Sequence, residues 1–270
     1  MEEDAEIETS ADSMDASLVF HLVSDILGFA LYMHRQIPSI LQDMSLEFDS
    51  MRGEYEEMEA ELARGEMRAS LRRKHSGRMR ELKRGFRSSE KLMSTISGLQ
   101  DALRLVVSEN PRIREILLIL GGSPLRPRYV YRLCFSHGKM VSRDASDFAK
   151  NRAAEVLSRK AIRALISRGA GSGGYPGPTK LFLLVKAPTS FNQPLYFLPK
   201  RDFRYNKKIV PFCLRVKCKG QHQEKTEINQ DPQTGMSVSL KDCGSDDLIC
   251  RFQCRHVIKG LASTVPSAEE

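Results

Sequence analysis

Residues 112–135, RIREILLILGGSPLRPRYVYRLCF, constrain this chain more than any other segment. Two apolar runs on either side of Gly-Gly-Ser-Pro predict two strands joined by a turn at Gly121-Gly122. In the second run Tyr129, Tyr131, Leu133 and Phe135 alternate onto one face, the period of a half-buried strand. Further on, LYFLPKRDFRYNKKIVPFCLRV (195–216) predicts an edge strand and a basic turn feeding another strand. No catalytic signature interrupts either segment. Such a sheet, covered by a helix layer, points to protein binding.

The helices follow from 3.6-residue spacing. Leu18, Val19, Leu22, Val23, Ile26, Leu27, Ala30, Leu31 and Met33 cover a wide arc, so a largely buried helix starts after Asp15 or Ser17 and ends near Pro38. A second helix spans about 88–108, with Leu92, Ile96, Leu99, Leu103, Val106 and Val107 in one stripe, ended by Asn110-Pro111. A third spans about 145–167. It turns Phe148, Ala149, Ala153, Val156, Leu157, Ala161, Ala164 and Leu165 inward, and Arg152, Glu155, Arg159, Lys160 and Arg163 outward. Strands at 180–187, 195–198, 209–218 and 248–258 complete an α+β pattern, three main helices on a mostly antiparallel sheet.

Residues 1–15 are acidic and poor in apolar side chains, as is typical of a disordered tail, and 263–270 end the chain in the same way. One domain fills 16–262, with a charged helical insertion at 47–87 and a polar, mobile loop at 219–247. Leu18–Met33 carries His21 and Asp25 and falls short of the roughly 20 apolar residues of a membrane span. Its acidic flank is also unlike the basic start of a signal peptide. The six cysteines are therefore expected as reduced thiols in the cytosol or nucleus.

Several candidate chemistries fail on spacing. The Gly-rich stretch 169–178 follows a helix and is broken by Pro176 and Pro178, whereas a phosphate cradle needs Gly-Lys-Ser/Thr opening one. Cys243, Cys250, Cys254 and His256 lack the tight knuckle of a structural zinc site, and Cys250 and Cys254 share one face of a strand as small apolar groups. The six histidines stand apart from any nucleophile motif. No enzyme, cofactor or metal is expected.

Two surfaces remain. The net charge of +8 is concentrated between Arg64 and Lys91, just after the acidic run Glu54–Glu61, which could fold back on it. The plain expectation is a solvated insertion. The alternative is a basic chromatin- or RNA-associated protein that uses 64–91 on nucleic acid. The turn Pro199, Lys200, Arg201, Asp202, Phe203, Arg204 combines cations and aromatics of the kind enriched at binding hot spots.

Helix 18–36, the turn in LLILGGSPLRPRYVYRL, the third helix and the Pro-Lys turn of FLPKRDFR resemble the comet family of Mad-two-binding proteins, in a plant-type form. The resemblance covers about 17–40, 88–218 and 248–262. It implies a HORMA-like fold and a non-catalytic adaptor that silences the spindle checkpoint in mitosis. Such a protein binds the closed conformer of Mad-two through the helix at 145–167, here by its outward Arg152, Glu155, Arg159 and Arg163. It offers the turn, matched at Pro199 and Lys200 and extended to Arg201 and Phe203, to a hexameric AAA+ ATPase of the Pch-two type. The resemblance extends to HORMA proteins of the meiotic chromosome axis as clients. It places the protein in nucleus and cytoplasm, with kinetochore or spindle association in division, and includes neither membrane nor nucleic acid among its partners.

Overall fold

A computed structural model describes residues 5–9, 14–64, 68–137, 147–174, 177–201, 203–206, 208–218 and 249–261. In chain order the elements are β1 (Ala5–Glu8), α1 (Ala16–Met33), α2 (Leu41–Arg64), α3 (Ala69–Glu109), β2 (Glu115–Ser123), β3 (Arg126–Ser136), α4 (Asp147–Ser167), β4 (Lys180–Pro188), β5 (Phe197–Pro199), β6 (Phe212–Lys217), β7 (Ile249–Cys254) and β8 (Ile258–Lys259). The strands form one sheet in the order β1-β6-β3-β2-β4-β7-β5, with β8 on β4. The class is α+β. The expected loop at 219–247 and the tail at 263–270 lie outside the described residues.

Alternation in β2 and β3 sets the layers. Leu118 lies opposite Tyr131 and Ile116 opposite Leu133, so these side chains share one face. There they join α1, α4 and the second half of α3 in a single core that includes Leu22, Ile26, Leu99, Leu103, Leu157 and Leu165. Asp15 caps α1, its carboxylate accepting from the Leu18 N–H at 2.7 Å. Among the described helices α1 alone is long and apolar enough to cross a membrane, but here eight of its side chains are buried in this core.

The sheet is mostly antiparallel, as expected, although β6 runs parallel to both β1 and β3, because the chain returns to the β3 edge only after α4, β4 and β5. Three expectations need correction. Part of the acidic start is ordered, since β1 pairs with β6 and Glu6 reaches Lys217 at 2.8 Å. There are four helices among the described residues: α2 adds one at Leu41–Arg64, while the basic segment, with no proline to interrupt 69–109, continues straight into the second apolar helix as α3. The charged segment is thus a hairpin of α2 on the first half of α3. On α4, Val156 is 39% exposed where burial was expected, while Ala154 and Ser158 face in.

The β2–β3 turn also differs in detail. Gly121 and Gly122 belong to β2, and the chain reverses at Pro124-Leu125 beyond a register shift. Gly121 is required for packing: a Cβ there would sit 2.6 Å from the Arg126 carbonyl oxygen, whereas one at Gly122 would meet nothing within 4 Å. Gly121→Ala should therefore cost about 2 kcal/mol, in the range for overpacking against backbone, and Gly122→Ala well under 1 kcal/mol. Equal midpoints for the two variants in urea unfolding would overturn this.

Candidate partner-binding surfaces

The second face of the sheet positions the Pro-Lys turn. Leu117 and Ile119 of β2, Val130 of β3, and Phe182 and Leu184 of β4 form a smaller apolar cluster there. Phe203 caps it and is only 7% exposed, with Tyr205, Ile209 and Val257 packed around it. Of the four turn residues expected at a partner, Pro199, Lys200 and Arg201 are exposed, and Phe203 is turned inward. It anchors the turn and does not present a surface; hot-spot composition does not distinguish these two uses of a phenylalanine.

The turn sits on an edge that is closed to further strands. The Lys200 N–H donates to the Arg251 carbonyl at 2.6 Å, so alternate residues Leu198 and Lys200 face β7, and Phe197 and Pro199 face off the sheet. The Phe197 N–H is taken by the Gln193 carbonyl at 2.8 Å, and Pro199 has none. Pro199 thus blocks strand addition at β5 and also starts a turn whose first cation has a fixed backbone.

Beneath the turn lies an ion network that composition gives no hint of. Glu115, in register with Leu117 and Ile119, is 5% exposed and takes two guanidinium groups. Arg132 meets Oε2 through Nη2 at 2.9 Å and Nε at 3.0 Å. Arg251 meets Oε1 through Nη2 at 2.7 Å and extends Nη1 to the Phe203 carbonyl at 3.4 Å. Burial alone would raise the Glu115 carboxyl. The hydrogen bonds and charge of Arg251, then those of Arg132, outweigh it and hold the group below the usual carboxylate range. One residue, Arg251, therefore joins β7, the buried carboxylate and the turn. The only sequence signal was a lone carboxylate inside an apolar strand.

The outer face of α4 lies on the other side of the molecule. Arg152, Glu155, Arg159 and Arg163 are all exposed, as expected. Glu155 and Arg159 pair along the helix at 3.3 Å. Among the described residues no carboxylate pairs with Arg152 or Arg163, and exposed Val156 and Ile166 give this face apolar area as well.

Cys250 and Cys254 of β7 lie in the main core, Cys254 with its thiol pushed up to about 11 by burial; Cys243 is outside the described residues. At the end of α1, buried Gln36 accepts from the Thr179 N–H at 2.7 Å and donates to the His34 carbonyl at 2.7 Å. His34 stacks on Tyr129 at 3.9 Å between ring centroids and hydrogen-bonds Tyr131 Oη at 2.8 Å. No protein-family model matches the chain, and no curated protein matches it.

Proposed function

We propose that the chain is a HORMA-like, non-catalytic adaptor of the comet type. It binds the closed conformer of Mad-two through the outer face of α4 and offers the Pro199–Arg201 turn to a hexameric AAA+ ATPase. The observation that carries this is the turn itself. Its cations project into solvent while its backbone is fixed on β7 and its aromatic is buried beneath. A partner therefore meets a preorganised contact and loses little conformational entropy on binding.

The order of elements supports the same reading, with α1, the second half of α3 and α4 sharing the main core with the sheet. An adaptor needs two separate surfaces, and the α4 face and the β5 edge are separate. It catalyses no bond chemistry and uses no cofactor. A binder alone shifts a conformational equilibrium only by its differential affinity, so the energy for remodelling comes from ATP hydrolysis in the partner. Checkpoint silencing, action on meiotic-axis HORMA proteins, and residence in nucleus and cytoplasm with kinetochore or spindle association follow from that role.

The test is capture of purified closed and open Mad-two by the full chain, with and without the ATPase. Native protein should retain the closed form selectively. Pro199→Ala/Lys200→Ala should keep that capture and lose ATPase recruitment at least about tenfold, as for loss of 1.4 kcal/mol or more. Equal capture of both conformers, or none of either, would end the proposal.

A further inference from the structure

The adaptor role leaves one side of α3 unused. α2 folds back on α3, and its carboxylates reach only the facing side: Glu54 pairs with Arg78 at 3.0 Å and Glu61 with His75 at 3.4 Å. Buried Leu82 and the stack of Phe48 on Phe86, 4.8 Å between centroids, mark the same seam. At about 100° per residue, Arg73, Arg80, Arg84, Arg87 and Lys91 fall within about 40° of one line, on the side of α3 away from Leu82. Arg72 and Lys83 flank that line. All seven are exposed, and among the described residues none has a carboxylate partner.

We propose that this face of α3 binds the phosphate backbone of duplex DNA. A solvated helix face usually interleaves acids with its bases at i,i+4 spacing. Here the nearby Glu81 turns to Arg78 at 3.7 Å, exposed Glu90 lies on the flanking line with Arg72, and the central line of five holds no acid over about 27 Å. Ser76 and Gly77 floor a shallow groove between Arg72, Arg73 and Arg80, so a phosphate can approach without a bulky neighbour. The face carries no aromatic, because Phe86 is committed to the seam. Single-stranded nucleic acid is held largely by stacking on aromatics, so that ligand is disfavoured. The A-form major groove of RNA is too deep and narrow to be read, whereas that of B-DNA admits an α-helix. Guanidinium and ammonium groups meet phosphates whatever the sequence, so the proposed contact is one of affinity and not of sequence.

The experiment uses the full chain and fluorescence anisotropy with a mixed-sequence DNA duplex of about 20 bp, an RNA duplex and a single strand of the same length, and polyglutamate as competitor. Salt runs from about 50 to about 200 mM. The variant is Arg73→Gln/Arg80→Gln/Arg84→Gln/Arg87→Gln. Its control, Arg52→Gln/Arg78→Gln/Arg104→Gln/Arg159→Gln, removes the same charge from arginines already paired with carboxylates. Native protein should prefer duplex DNA. The stripe variant should bind at least about tenfold more weakly and lose about 3 to 4 from the log-log salt slope, at about 0.9 per phosphate contact. The control should stay within about threefold of native. Failure of native protein to bind at the lowest salt would overturn the proposal, as would equal weakening of both variants. So would binding of RNA, single strand or polyglutamate as tight as that of duplex DNA.

Discussion

His34→Gln is expected to remove a loss of stability, on the order of 3 kcal/mol, that the native chain suffers between about pH 6.5 and pH 4. His34 is 2% exposed, stacked on Tyr129 and hydrogen-bonded to Tyr131, with its Nδ1 buried and unbonded among the described residues. Burial lowers its pKa from 6.5 to about 4, so the folded state holds the ring neutral. Below pH 6.5 the unfolded chain takes up a proton that the folded chain refuses until about pH 4. Stability from this site is therefore complete above the unfolded value and is lost as pH falls through the window. Each pKa unit corresponds to about 1.4 kcal/mol, which gives the size of the effect. Glutamine will also weaken the packing at neutral pH, so the slope is the quantity to compare. Urea unfolding at several pH values across the window measures it. A variant whose stability falls as steeply as that of the native chain would sink the prediction.

His34 also shows where the sequence was informative and where it was not. Period and parity located the buried residues of α1, one buried face of β3 and the core cysteines of β7, because those patterns follow from backbone geometry and need no knowledge of neighbours. They could not show that a histidine near the end of α1 would lie on a tyrosine 95 residues away, as that depends on how elements pack. The parallel β3–β6 pairing escaped for the same reason: alternation sets which face a residue takes and not which strand lies beside it. Within the turn, the exposed Pro199, Lys200 and Arg201 were legible as punctuation and charge. Phe203 was legible as an aromatic, but its direction is set by the apolar surface of Leu117, Val130 and Phe182 beneath it. The acidic run before the basic segment did suggest a fold-back. Only the helix phase of the hairpin shows that it leaves one cationic side uncovered.

Glu115→Ala should cost about 3 kcal/mol in urea unfolding at pH 7 and should also loosen the Pro-Lys turn. Removing one partner of a buried ion pair typically costs about 3–5 kcal/mol, because the remaining charge is left desolvated and unpaired. The low end applies here, since Arg132 and Arg251 keep 44% and 32% of their side chains exposed and water screens them. Two guanidinium groups would then face each other across the vacated position, and Arg251 would be driven from the Phe203 carbonyl it now reaches. Cleavage by trypsin after Lys200 and Arg201 should accelerate several-fold under native conditions, because local opening at that turn becomes easier. The pH signature separates this site from His34. A carboxyl held below its ordinary value contributes stability that is complete above the unfolded pKa and lost as pH falls through the folded one. Its window therefore lies below the usual carboxylate range, on the acid side of the histidine transition, and should be missing from Glu115→Ala. If the variant is within 1 kcal/mol of native, and its turn is cut no faster, the network contributes little and the turn is held by Phe203 and the β7 hydrogen bond alone.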